Sequence, residues 1–253
     1  MIADDGGAVL CRRQSAGAKR QVASGAYLHV IHTGHHRRPR IIHVGPATPD
    51  PFLTAMADAC HAHAKAAGLL PQLASTLGVS ADALDAMDAG WSRWENAWTW
   101  PMRNAAGDVV GIRLRGRGKA KWAVAGGHEG LFFCPAMAIS ENLIIVEGAS
   151  DVAAILSIGI SAVIGRPSAS GGGDQLVALA RQWRPKNILV LSDADDVGAR
   201  TAECLAARLR GIAAVRVHPP PAGIKDAREW ILRGAQAADV LGLFLGLNNA
   251  KRI

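Results

Sequence analysis

Three carboxylates stand where an α/β chain places its chemistry. Glu147 directly follows the apolar run Leu143-Ile144-Ile145-Val146, and Asp193 and Asp195 directly follow Asn187-Ile188-Leu189-Val190-Leu191. Short apolar runs bounded by turn residues read as strands buried on both faces, which is the mark of a parallel sheet. Ends of parallel strands share one edge, so these carboxylates converge there. Like charges that close demand a counter-cation, and oxygen donors select a hard divalent ion, Mg²⁺ or Mn²⁺. The D-x-D spacing aims Asp193 and Asp195 the same way in extended backbone, and Gly198 lets the next helix begin without a clash. Taken singly, each acid also fits a helix cap, Glu147 near Ser150 and Asp193 to Asp196 near Val197. Three acids at two strand ends exceed what capping requires.

A second pattern is basic. Arg113, Arg115, Arg117, Lys119 and Lys121 recur at every second residue with no acid between them, which in extended chain places all five on one face. Such a row is a track for phosphates, or a charged edge strand that blocks aggregation. Gly116 and Gly118 interrupt it and favour a loop over part of its length. Gly165 and the run Gly171-Gly172-Gly173 admit close phosphate approach to backbone N–H groups. No G-x-x-x-x-G-K-[ST] occurs, so no ATPase motor is encoded.

The elements that position these residues alternate in the second half of the chain. Strand-like runs at 143–146, 161–164, 187–191 and 214–217 are separated by helical stretches at 150–157, 174–183 and 197–210. The fold class is therefore α/β, a parallel sheet flanked by helices over residues 141–235, with its chemistry at the carboxyl edge. Residues 91–140 read as a β-rich subdomain, with a hairpin turn at Asn104 to Asp108. Its four tryptophans, Trp91, Trp94, Trp98 and Trp100, read first as core packing, with base stacking the sharper alternative. Residues 51–90 form a helical connector, with helices over Phe52–Gly68 and Ala81–Ala89, and residues 236–253 a C-terminal tail.

Residues 1–50 form a small basic module. Residues 1–44 hold seven Lys/Arg against two acids, with five histidines interleaved and strand-like runs at Val9-Leu10, 27–31 and 41–44. The module reads as a degenerate zinc ribbon or a nucleic-acid-binding arm. Zinc is not expected, because Cys11 is alone there and no C-x-x-C pair occurs among Cys11, Cys60, Cys134 and Cys204. Cys60-His61-Ala62-His63 reads as incidental helix surface.

Composition bounds the rest. The 253 residues are 49% hydrophobic and 19% charged, which excludes wholesale disorder, and 28 Lys+Arg against 21 Asp+Glu leave a net charge of +7 that suits a polyanionic partner. No apolar run approaches a membrane span, and the start Met1-Ile2-Ala3-Asp4-Asp5 lacks a basic-then-apolar leader. A cytoplasmic chain with no membrane partner is the expectation.

The runs Ile144-Ile145-Val146-Glu147-Gly148-Ala149-Ser150-Asp151, Val163-Ile164-Gly165 and Ser192-Asp193-Ala194-Asp195-Asp196-Val197-Gly198 resemble the Toprim domain. That domain is shared by bacterial-type primases, topoisomerases, certain nucleases and recombination-mediator proteins. Lys225-Asp226 resembles the segment that closes Toprim domains of phage and plasmid primases. Trp98 to Arg103, Val110 to Arg115 and Lys121 to Phe132 are similar to the amino-terminal polymerase subdomain of phage primase-helicases, so the resemblance spans roughly residues 91–232.

It implies a metal-dependent nucleotidyltransferase that makes short primers on single-stranded DNA. Glu147 would be a proton-transfer residue or metal ligand, Asp193 and Asp195 metal ligands, and Asp226 a weaker ligand candidate. Lys121 is the first nucleotide-binding candidate, followed by Lys119, Arg113 and Arg115, with Gly165 and Lys225 beside them. Nucleoside triphosphates and single-stranded DNA are the implied partners, with a separate helicase. Two alternatives remain open, a Toprim nuclease using the same carboxylates on water and a non-catalytic DNA-binding scaffold. A topoisomerase is disfavoured because the sole tyrosine, Tyr27, lies in the basic module.

Overall fold

A computed structural model describes residues 8–11, 18, 20–21, 27–30, 49–118 and 120–245. The chain divides into two compact units, residues 1–44 and 45–253. In the first, β1 (Ala8–Cys11), β2 (Arg20–Gln21) and β3 (Tyr27–Val30) form an antiparallel sheet in the order β1-β3-β2. The strand expected at 41–44 and four of the five histidines lie outside the described residues.

The second unit opens with three helices. In α1 (Pro51–Ala66), Asp50 caps the first turn by accepting from the Phe52 N–H at 2.8 Å, and Pro51 supplies a helix-ready φ. Its buried residues Leu53, Ala57, Cys60 and Ala64 repeat at helical spacing. Next come α2 (Leu70–Leu77), ended by Gly78 in the left-handed region at φ 68°, and α3 (Ala81–Ala86), capped by Ser80. No helix had been expected at α2, although Leu70, Leu73, Ala74 and Leu77 carry its periodicity.

An antiparallel sheet follows in the order β4-β5-β6-β7, with β4 (Gly90–Ser92), β5 (Ala97–Arg103), β6 (Val109–Arg115) and β7 (Lys121–Ala123). The basic ladder is therefore not one extended strand. The Gly116 N–H donates to the Ala120 carbonyl at 3.1 Å, and Lys121 pairs with Arg115 across the hairpin. The glycines at 116 and 118 break the alternation. Trp91 and Trp100 are buried and Trp98 is half-buried, as core packing requires, whereas Trp94 is 94% exposed.

The last layer alternates strand and helix. It runs β8 (Asn142–Glu147), α4 (Ala149–Ser157), β9 (Val163–Arg166), α5 (Gly173–Trp183), β10 (Asn187–Leu191), α6 (Asp196–Leu209) and β11 (Ala214–His218), then α7 (Ala227–Leu232) and α8 (Ala237–Gly242). The four strands are parallel in the order β11-β10-β8-β9. Alternate residues separate two cores. Ile144, Val146, Leu189 and Leu191 pack with α2, α3, α4 and α8, while Leu143, Ile145, Ile188 and Val190 pack with α5 and α6. The segment expected as a tail thus carries a helix whose Val240 is fully buried.

A short segment joins the two sheets. Leu131 pairs with Arg103 of β5 and Phe132 with Gly165 of β9, through N–H to carbonyl bonds of 2.7–2.9 Å. Gly165 is packed where no side chain fits, since a Cβ there would lie 2.6 Å from the Gly148 carbonyl oxygen and 2.7 Å from a Val152 methyl. Gly165→Ala is expected to lower stability by about 1–3 kcal/mol through overpacking. Urea unfolding followed by circular dichroism checks this, and an unchanged midpoint would contradict the packing described.

Candidate functional site

The carboxyl ends of β8 and β10 open onto a cleft of about 470 Å³, within the size range of small-molecule sites. Glu147 is the last residue of β8. Gly148 follows at φ 84°, a conformation that lets the chain turn at once into α4. Asp193 lies just beyond β10. The chain turns into α6 because Asp195 caps that helix, its carboxylate accepting from the Gly198 N–H at 2.7 Å. Gly198 is required there, since a Cβ would meet the Asp193 carbonyl oxygen at 2.8 Å. Asp226 likewise caps α7, accepting from the Glu229 N–H at 2.8 Å. The two acidic loops are stitched together by the Ala194 N–H donating to the Lys225 carbonyl at 2.8 Å.

Basic residues of the antiparallel sheet line the same cleft from its other side. Arg113, Arg115 and Lys121 are among its walls, with Trp100 and Phe132. Arg113 reaches across to the Pro167 carbonyl at 3.4 Å and pairs with Glu129 at 3.8 Å. Lys225 and Arg228 contribute positive charge from the acidic side, Lys225 lying 3.8 Å from Asp226.

The carboxylates feel one another and their burial. Burial and then the charges of Glu147 and Asp226 push the Asp193 carboxyl up to about 6, against the pull of Lys225. Burial also raises Glu147, with Arg166 opposing and Asp195 adding to the rise. Asp151 in the first turn of α4 is 6% exposed and is driven well above the usual carboxylate range by burial, then by Asp226 and Asp193. Its one counterweight at bonding distance is the Arg228 N–H at 3.2 Å. Burial, followed by the charge of Arg228, lowers Arg115.

Glu147 Oε1 is buried and accepts no hydrogen bond. A buried carboxylate oxygen left unpaired beside other acids is a place for a cation, and the donor set is all oxygen. Among the described residues no three His, Cys, Asp or Glu side chains stand close enough to cage an ion. Mg²⁺ does not require such a cage, since it binds through one or two carboxylates together with water and substrate phosphates. The residues therefore fit a hard divalent cation shared with a phosphate ligand.

The structure gathers Glu147, Asp193, Asp226, Arg113, Arg115, Lys121 and Lys225 around one cleft. Asp195 stands at its edge as a helix cap, close enough to influence Glu147 and Asp193. Lys119 lies outside the described residues. Gly165 is a correction: its N–H donates to the Phe132 carbonyl at 2.7 Å inside the sheet, so it is not free for a phosphate. Sequence reasoning passed over three charged residues. Asp151 was legible as the fourth residue after Glu147, and Arg228 as a neighbour of Lys225-Asp226. Arg166 gave no signal. It is buried at 3% exposure across from Glu147 in the β8–β9 register, one of its guanidinium nitrogens without a partner.

Solved structures share this architecture. The DnaG catalytic core aligns with a TM-score of 0.62 at 15% identity, over 76% of this chain and 78% of that one. The E. coli primase catalytic core gives 0.60 at 16%, over 75% and 77%. The fold is that of the primase catalytic core. The primase fragment of the bacteriophage T7 primase-helicase protein aligns at 0.55 and 20%, over 66% of this chain and 72% of that one. No protein-family model matches the sequence, and no curated protein matches it. The similarity thus lies in the primase fold, with its antiparallel sheet preceding a Toprim-like parallel one.

The raised Asp193 carboxyl carries a pH signature. Its folded value near 6 exceeds the ordinary value, so the folded state holds that proton more tightly than the unfolded chain does. Stability from this group therefore falls as pH rises from about 4 to about 6. In metal-free buffer Asp193→Asn is expected to unfold at higher urea than the parent at about pH 8, with the difference gone near pH 4. Equal midpoints at both pH values would contradict the electrostatic account.

Proposed function

We propose that the chain is a primase-like nucleotidyltransferase that joins nucleotides into short primers on single-stranded DNA, with a divalent cation. The observation that carries this reading is the facing of two charge sets across one cleft. Acids that are half-buried or buried, one with an enclosed unpaired oxygen, stand on one wall, and Arg113, Arg115 and Lys121 on the other. Such a cleft suits a ligand that is anionic toward the arginines and metal-bearing toward the acids, as a nucleoside triphosphate is. One of the similar solved structures is a DnaG primase catalytic domain bound to single-stranded DNA, which supports the choice of template.

In the reaction a 3′-hydroxyl oxygen forms a bond to the α-phosphorus while the bond to the pyrophosphate oxygen breaks. Arg113, Arg115 and Lys121 hold the phosphates and offset the charge that spreads over them. Glu147, whose burial raises its affinity for protons, accepts the hydroxyl proton. Asp195 and Asp226 fix the acidic loops by capping α6 and α7, which keeps Asp193 at the mouth of the cleft. Mg²⁺ or Mn²⁺ would be held by two carboxylates, Asp193 with Glu147 or Asp195, together with the phosphates, and would supply charge neutralisation there.

Incubation with single-stranded DNA, nucleoside triphosphates and Mg²⁺ or Mn²⁺ is expected to yield short oligomers on denaturing gels. Glu147→Gln and Asp193→Asn should each lower the yield about 10²-fold or more, and chelation should abolish it. No oligomers with either metal would overturn the proposal. Thermal melts give a separate reading: Mg²⁺ or Mn²⁺ should raise the melting temperature of the parent and leave Asp193→Asn unchanged, because only a bound ion stabilises the folded state.

A further inference from the structure

A second cavity, of about 600 Å³, lies between α1 and the β4–β5 turn. Its lining is apolar, with Met56, Cys60, Trp91 and Val124 among its walls. Phe52 from α1 and Trp94 from the turn line it as well, and they are 69% and 94% exposed. Two large aromatic side chains left in water beside a hollow are unusual on a chain whose other described aromatics are buried or half-buried. Packing does not account for Trp94.

The charges around this hollow narrow its occupant. Arg93 lines it, and Arg117 places its guanidinium carbon 5.3 Å from the centroid of the Trp91 ring. Glu95 lines it too, its carboxylate accepting from the Trp122 indole N–H at 3.4 Å, so one acid stands against two arginines. Flat apolar rings between arginines match a ligand that alternates flat rings with phosphates. Such aromatic platforms in basic surroundings hold single-stranded nucleic acid by base stacking.

The hollow and the cleft are bordered by one hairpin. Arg115 and Lys121, paired at the base of the β6–β7 hairpin, line the cleft, while Arg117 at its tip covers Trp91. Two residues of chain span at most about 7 Å. One hairpin therefore presents positive charge to both places, and a strand held at the hollow has a phosphate path toward the acids.

We infer that this cavity is a base-binding site for single-stranded DNA, in which Trp94 stacks an unpaired base and Arg93 and Arg117 hold the flanking phosphates. The inference concerns where the strand is gripped and rests on the nucleic-acid reading of the cleft only for its direction. Trp94 takes no part in the chemistry.

The test is fluorescence anisotropy of a labelled oligothymidylate titrated with the full chain, in chelator and without nucleotides. Trp94→Ala is expected to weaken binding about tenfold, as loss of one stacked base does, and Trp94→Phe to restore most of it. Arg117→Ala should weaken binding and flatten its salt dependence. Because Trp94 is exposed, its variants should keep the parent's melting temperature. Asp193→Asn should lose primer synthesis without losing strand binding, so the two losses are separable. Binding of Trp94→Ala equal to the parent's overturns the inference and leaves the proposed reaction standing. A Trp94-dependent dimer in light scattering, with DNA binding unaffected, assigns the face to a second copy and overturns it as well.

Discussion

The structure depends on an electrostatic conflict at the carboxyl edge of the parallel sheet. Glu147, Asp151 and Asp193 are brought together beside Asp226 by strands and helix starts, and burial and neighbouring acids both oppose the charge of those three. The fold answers with fixed backbone dipoles before it answers with cations. Asp195 and Asp226 satisfy N–H groups of α6 and α7, and Asp151 accepts from the Arg228 N–H. These bonds hold the loops without neutralising them, and Lys225, Arg166 and Arg228 offset only part of the repulsion. A site kept this acidic by its own scaffold is one whose folded state gains from a bound cation.

Opposite charge is supplied by a different sheet, and the link between the two is short. Leu131 bonds to β5 and Phe132 to β9, so two consecutive residues set where the cationic strands stand relative to the acidic edge. Their side chains point into different cores, Leu131 beside Leu176 and Phe132 beside Trp100 and Met102. Arg113 then crosses the gap to the Pro167 carbonyl. The facing of charges is thus fixed by backbone pairing and apolar packing, and it does not need a ligand to assemble it.

Much of this was legible in the sequence. The strands β8 and β10 are apolar on both faces, and that pattern has few alternatives when a Gly-containing turn follows. Gly198 was correctly read as space for a helix start, and the Asp193 carbonyl occupies that space. Other features depended on tertiary context. The glycines at 116 and 118 marked part of the Arg113 to Lys121 row as a loop, but the return of the chain that pairs Lys121 with Arg115 depends on β6 and was not legible. Gly165 was read as room for phosphate and is room for the Gly148 carbonyl. Arg166 was invisible because nothing local distinguishes a strand-end arginine in water from one enclosed beside a carboxylate.

Folding the basic row into a hairpin changes what it does. A straight strand of five cations would place neighbours on one face about 7 Å apart, each repelling the next, with a single direction in which to neutralise them. The hairpin divides the charge. Arg113, Arg115 and Lys121 face the acids across the cleft, while Arg117 rests on the π-face of Trp91, which a guanidinium favours. Positive potential thereby extends past the cleft to an exposed aromatic surface. A polyanion meeting this protein therefore encounters a bent path with aromatic rings at one end and the acidic edge at the other, a polarity that a linear ladder would lack.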